Sequence, residues 1–167
     1  MITNTNNGNE LAQIGWLKYV NWSSSSVYFF YEYGQSGGLN PPEQLFVDTN
    51  AANYGTSNEF TVYTQGNGQT DFIINGVGQF NTYLNSTPNR AEWLGEVHST
   101  GDQMAGDYNH PVYFNYVQHL YNGTWYNDNA SVNQINTDTS QNGGYGAGNW
   151  PNANWCAIWD TRYGSEA

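Results

Sequence analysis

Positive charge is what this sequence has least of. Lys18, Arg90 and Arg162 stand against 14 acidic residues, giving a net charge of −11. That balance excludes a nucleic-acid partner, because neutralising phosphates needs clustered Lys and Arg. It argues equally against an anionic membrane surface. Cysteine is nearly absent: Cys156 stands alone, so no intrachain disulfide is possible, and one thiol leaves secretion open. No histidine lies near it in sequence, and it reads as a small buried hydrophobe in a strand. No run approaches the ~20 apolar residues of a membrane helix. The start, Met1 to Gly8, is polar, so any leader is expected to have been removed or never included. Helical periodicity is missing from every segment longer than about ten residues. There is no phosphate-binding loop, dinucleotide fingerprint, calcium-loop spacing or Gly-x-Ser-x-Gly elbow. His98, His110 and His119 match no common zinc pattern, so neither metal nor cofactor is expected.

What is present is amide, hydroxyl and ring. Mean hydropathy is −0.70, although only 10% of residues are charged. The polarity comes from Asn, Gln, Ser, Thr and Gly. Aromatics reach 17%, with 14 Tyr and 7 Trp, and a chain so rich in rings is expected to fold. Its 167 residues suit a single domain with one core. The composition suits an extracellular β protein. Sequons begin at Asn21, Asn85, Asn122 and Asn129.

Period-two alternation recurs along the chain. In Val27 to Tyr33 both faces are aromatic, as in a central strand covered on both sides or one wall of a groove. In Glu59 to Gln65, Phe60 and Val62 oppose Thr61 and Tyr63. Turn residues punctuate these runs at 36–38, 40–42, 66–68, 75–76 and 122–123, the Asn-Gly pairs supplying the positive φ that tight hairpins require. Strands are predicted over 10–20, 26–34, 43–49, 58–65, 70–75, 90–98, 111–120, 124–128 and 154–160. Many short strands at this spacing predict an all-β fold, a two-sheet antiparallel β-sandwich of jelly-roll or concanavalin-like kind, over residues 1–167. Segment 136–149, rich in Gly and Asn, reads as a long loop.

Two segments stand out chemically. In Ala91 to His98, a strand would place Glu92, Leu94, Glu96 and His98 on one face. Glu92 and Glu96 would then lie roughly 13 Å apart, too far to share a proton, so a catalytic partner must come from a neighbouring strand. In Glu10 to Trp16, Gln13 and Gly15 share a face. The missing side chain at Gly15 is expected to leave room for a substrate whose carbonyl Gln13 could bind. Solvated carboxylates and an ordinary surface amide are the plain alternatives.

Glu92-Trp93-Leu94-Gly95-Glu96-Val97 resembles the Glu-Trp-x-x-Glu motif of the eqolisin family of glutamic peptidases, and the Trp-Gly-Gly-Glu-Val motif of the neprosin family. Asp102-Gln103-Met104-Ala105-Gly106 resembles a Gln-Met-Gly segment that follows it in neprosins. Gln13-Ile14-Gly15-Trp16 resembles the Gln-x-Gly segment carrying the eqolisin glutamine, and Tyr28 to Tyr33 falls where eqolisins have a Trp-Tyr-Glu-Trp strand lining the cleft. The order of these segments agrees, over about residues 10–120. The resemblance implies a β-sandwich and an acid-active endopeptidase without cofactor. Glu96 would activate water, Gln13 would hold the oxyanion, and Tyr31, Glu32 and Glu92 would contact a peptide or protein substrate. Eqolisins carry further strands before the Gln segment, so the domain is expected to be short of N-terminal strands. Neprosins pair two glutamates where this chain has Gln13; Glu10 is an alternative, off the motif.

Two other readings compete. One is an extracellular module stacking sugars on Trp22, Trp125, Tyr126, Trp150 and Trp155. The other is a self-associating subunit of a fibre or appendage that borrows strands from a neighbour.

Overall fold

A computed structural model describes residues 2–4, 10–18, 27–35, 44–52, 55–91, 93–95, 105–127, 145–148 and 155–160. The described elements are all β, in several small antiparallel sheets. The chain divides into two compact units, Met1–Glu92 and Trp93–Ala167.

In the first unit, β1 (Ile2–Asn4), β2 (Glu10–Leu17), β3 (Val27–Gln35), β4 (Gln44–Ala52) and β8 (Arg90–Ala91) form a five-stranded sheet in the order β4-β3-β2-β1-β8. The second sheet is a meander of β5 (Phe60–Thr64), β6 (Gln69–Ile74) and β7 (Val77–Tyr83). Alternation decides what each strand buries. From β2 and β3, Ala12, Ile14, Tyr31 and Tyr33 turn to the core; from the meander, Val62, Phe72 and Phe80 meet them. The contacts are largely ring on ring. Tyr31 stacks on Phe80 at 5.2 Å and on Phe46 at 5.3 Å, and Tyr33 lies 5.7 Å from Phe80. Offset stacks of this kind add about 0.5–1.5 kcal/mol per pair beyond the area they bury. Phe72 is fully buried beside them.

The turns follow from their residues. Asn75 (φ 52°) and Gly76 (φ 76°) close the β6–β7 hairpin, and Asn122 (φ 48°) and Gly123 (φ 77°) close that of β10 (Gln118–Tyr121) and β11 (Thr124–Asn127). Both central residues need positive φ, which Asn-Gly supplies. Strand β7 escaped the sequence reading for a local reason. Phe72 pairs with Phe80 but Ile73 pairs with Gly78, so Gln79 is an extra residue, and the bulge breaks the alternation that marks a strand. The strand expected over 90–98 is confined, among the described residues, to Arg90–Ala91; Trp93 to Gly95 are not strand.

In the second unit, β9 (Val112–Asn115), β12 (Tyr145–Gly148) and β13 (Trp155–Asp160) form a sheet in the order β12-β13-β9, and β10 and β11 form a separate hairpin. Strand β12 lies in the segment read as a loop; 136–144 fall outside the described residues. The single strand expected over 111–120 is two, separated by Tyr116 at φ 55°. Cys156 is half-buried on β13, and burial pushes its thiol pKa up. Asp107 closes a turn by accepting from the backbone N–H groups of Asn109 and His110, at 2.8 and 2.9 Å, and lies 3.3 Å from the His110 ring. Desolvation pushes the Asp107 carboxyl up. The His110 ring, the two backbone donors and the charge of His110 outweigh it, so the group titrates below the usual Asp range.

Two predictions follow from these turns. A Cβ at Gly68 (φ 86°) would sit 2.7 Å from the Leu84 carbonyl oxygen, so Gly68→Ala is expected to cost about 1–3 kcal/mol, read as a lower urea midpoint with unchanged slope. The lowered Asp107 pKa contributes stability that is present above the unfolded value of about 3.9 and lost as pH falls through the folded one. Protection of the Asn109 and His110 amides, measured against their intrinsic exchange rates, should therefore hold at pH 5 and fall only below about pH 4. In Asp107→Asn that acid-induced change should disappear.

Candidate functional site

Strands β2 and β3 pair so that Gln13 lies directly opposite Glu32, and Gly15 opposite Phe30. Directly opposed residues share a face, and this is the face turned away from the aromatic core. Gln13 is only 8% exposed, and its side-chain Nε2–H donates to Glu32 Oε2. A primary amide in this position needs a partner, because a buried polar group without one costs about 1–3 kcal/mol. The Glu32 carboxyl fixes the amide from directly across the strand pair. The amide nitrogen carries a second N–H that can donate to a ligand oxygen.

The residues expected at the site separate into three groups. Gln13 and Glu32 are brought together. Tyr31, implied as a substrate contact beside Glu32, points to the reverse face, because it is the next residue along the strand; it stacks there on Phe46 and Phe80 and packs tilted against Phe72. Glu92 and Glu96, with His98, lie outside the described residues.

The room expected at Gly15 is also taken. A Cβ there would lie 3.3 Å from the edge of the Phe30 ring, so the cross-strand ring covers the glycine. The space that the missing side chain leaves at Gly15 is thus filled by Phe30.

Glu10 is held by hydrogen bonds to residues far along the chain. It is 1% exposed on the core side of β2. Its Oε1 accepts from the Asn85 backbone N–H at 2.6 Å and its Oε2 from the Ser86 hydroxyl. The carboxylate thus pins the turn after β7 to β2. No local signal in the sequence could have paired residues 75 positions apart.

Of the five aromatics considered as a sugar platform, the described side chains are Trp125 and Tyr126. As neighbours in β11 they point to opposite faces, so they cannot form one surface. Tyr126 stacks instead on His119, across the hairpin, at 5.5 Å. Among the described residues no group of three His, Cys, Asp or Glu side chains is placed to hold a metal ion.

No family model, curated protein or solved structure matches the chain.

Glu10→Gln keeps the size of the side chain but replaces one of the two oxygens that accept from Asn85 and Ser86 with an N–H₂. Hydrogen bonds to charged groups are worth about 1.5–3 kcal/mol, so a loss of that order is expected in urea unfolding, while Glu59→Gln, at an exposed position, should change stability by less than about 0.5 kcal/mol.

Proposed function

We propose that this protein is an acid-active endopeptidase of the glutamic-peptidase type, built on a two-sheet β-sandwich and acting outside the cell on peptide or protein substrates. The observation that supports this best is the Gln13–Glu32 pair: an amide donor on a sheet face, oriented by a carboxylate directly across the strand pair. Peptide hydrolysis needs a base for water, a donor for the oxyanion and an acid for the departing amine. In this reading the Glu96 carboxylate takes a proton from water as the oxygen attacks the peptide carbon. The second N–H of Gln13 donates to the carbonyl oxygen as it becomes negative. The C–N bond then breaks, and the proton held on Glu96 passes to the leaving nitrogen. Glu32 positions the Gln13 amide and touches no reacting atom. A carboxyl used this way works best near its own pKa, about 4.3 for an unperturbed Glu, and the chain's net charge of −11 diminishes as its acids protonate, easing self-repulsion.

The test is cleavage of denatured casein from pH 2 to pH 7. The wild-type chain is expected to cut at acidic pH, with Glu96→Gln inactive and Gln13→Ala slower by about 10²–10³, the usual effect of removing one oxyanion donor. Wild-type rates in a correctly folded Glu96→Gln would overturn the assignment.

A further inference from the structure

The outer face of the β5-β6-β7 meander carries a second group of polar side chains, unconnected with Gln13. Because Thr70, Phe72 and Ile74 are buried, the alternate residues Gln69, Asp71 and Ile73 point outward. The register places Tyr63, Asp71 and Asn81 in one row across all three strands, with Gln69 opposite Tyr83 in the next row. The Asp71 carboxylate is fixed from one side: Gln65 Nε2 donates to Oδ2 at 3.0 Å and Gln69 Nε2 to Oδ1 at 3.2 Å. A carboxylate has about four acceptor positions, so two donors leave capacity for a ligand. Beside it the β7 bulge opens a depression of about 280 Å³ lined by Asp71, Ile73, Gly78, Gln79, Phe80 and Asn81. Gly78 contributes to the opening, since a Cβ there would meet nothing within 4 Å. Tyr83, 61% exposed, stands two residues along the strand from Asn81, about 7 Å away on the same face.

These groups select a ligand class. The face carries the Asp71 carboxylate and no Lys or Arg, which disfavours anions. Its outward residues are mostly amide, hydroxyl and carboxylate, which disfavours an apolar partner. A second copy of a chain with net charge −11 is repelled at neutral pH. What fits is a neutral ring bearing several hydroxyls: vicinal O–H groups donate to Asp71, ring and hydroxyl oxygens accept from Asn81 and the glutamines, and a C–H face lies on an exposed aromatic ring. The depression is just below the ~300–1,000 Å³ of drug-sized pockets, the scale of a single ring. We propose that this face binds one sugar unit of a neutral polysaccharide, with Asp71 as the central acceptor and Tyr83 as the stacking surface.

Affinity electrophoresis of the whole chain in gels containing hydroxyethylcellulose, soluble starch or glycol chitin tests this. The wild-type protein should be retarded by at least one of the three. Asp71→Asn and Tyr83→Ala, each checked for an unchanged melting temperature, should weaken that retardation at least tenfold while leaving any casein cleavage as it was. No retardation in any gel, or retardation equal to wild type in both variants, would overturn the proposal. The outcome is independent of Glu96, so failure here and failure of the peptidase reading are told apart.

Discussion

The aromatic layer between the two sheets of the first unit is what the rest of that unit depends on. Tyr31, Tyr33, Phe46, Phe72 and Phe80 form a continuous set of ring contacts, with Ala12 small enough to lie fully buried among them. Truncating one ring of this kind costs about 3–5 kcal/mol, a large part of the stability of any small domain. The layer does more than stabilise. A slip of one residue between β2 and β3 would turn Tyr31 and Tyr33 to the wrong face relative to Ala12 and Ile14. The same constraint that keeps Tyr31 inside therefore keeps Glu32 outside and opposite Gln13. The candidate site is the reverse side of the core.

A second constraint comes from composition. With 14 acidic and 3 basic residues, Lys and Arg are too few to pair with every carboxylate, and several of the described ones accept from neutral donors. Glu10 takes a backbone N–H and a hydroxyl, Glu32 an amide, Asp71 two amides, and Asp107 two backbone N–H groups. An Asn- and Gln-rich chain can do this because each amide offers two N–H donors. A carboxylate held this way retains acceptor capacity, whereas a bidentate arginine would occupy both oxygens. That is why Glu32 can orient Gln13, and why Asp71 can serve as a ligand acceptor.

Much of this architecture was legible in the sequence where one signal dominated. Alternation located β2, β3, β5 and β6, and the two Asn-Gly pairs located both tight hairpins. What remained hidden was non-local or irregular. The bulge at Gln79 obscured β7, Tyr116 divided one expected strand into two, and β12 lay in a stretch whose Gly and Asn content suggested a loop. The site was legible only in part. Gln13 was singled out, but its pairing with Glu32 depends on register across a connection of nine residues (18–26), which sequence does not set. The burial of Glu10 against Asn85 and the covering of Gly15 by Phe30 are tertiary in the same sense. The assignment of Glu96 rests on motif resemblance alone.

The most direct test of the register, and of the amide orientation it produces, is ¹⁵N NMR of the Gln13 side chain. The two Nε2 protons should be strongly inequivalent, one shifted downfield and slow to exchange with water because Glu32 holds it, and that signature should vanish in Glu32→Ala. Two ordinary, rapidly exchanging amide protons in the wild-type protein would contradict the pairing and, with it, the role given to this face.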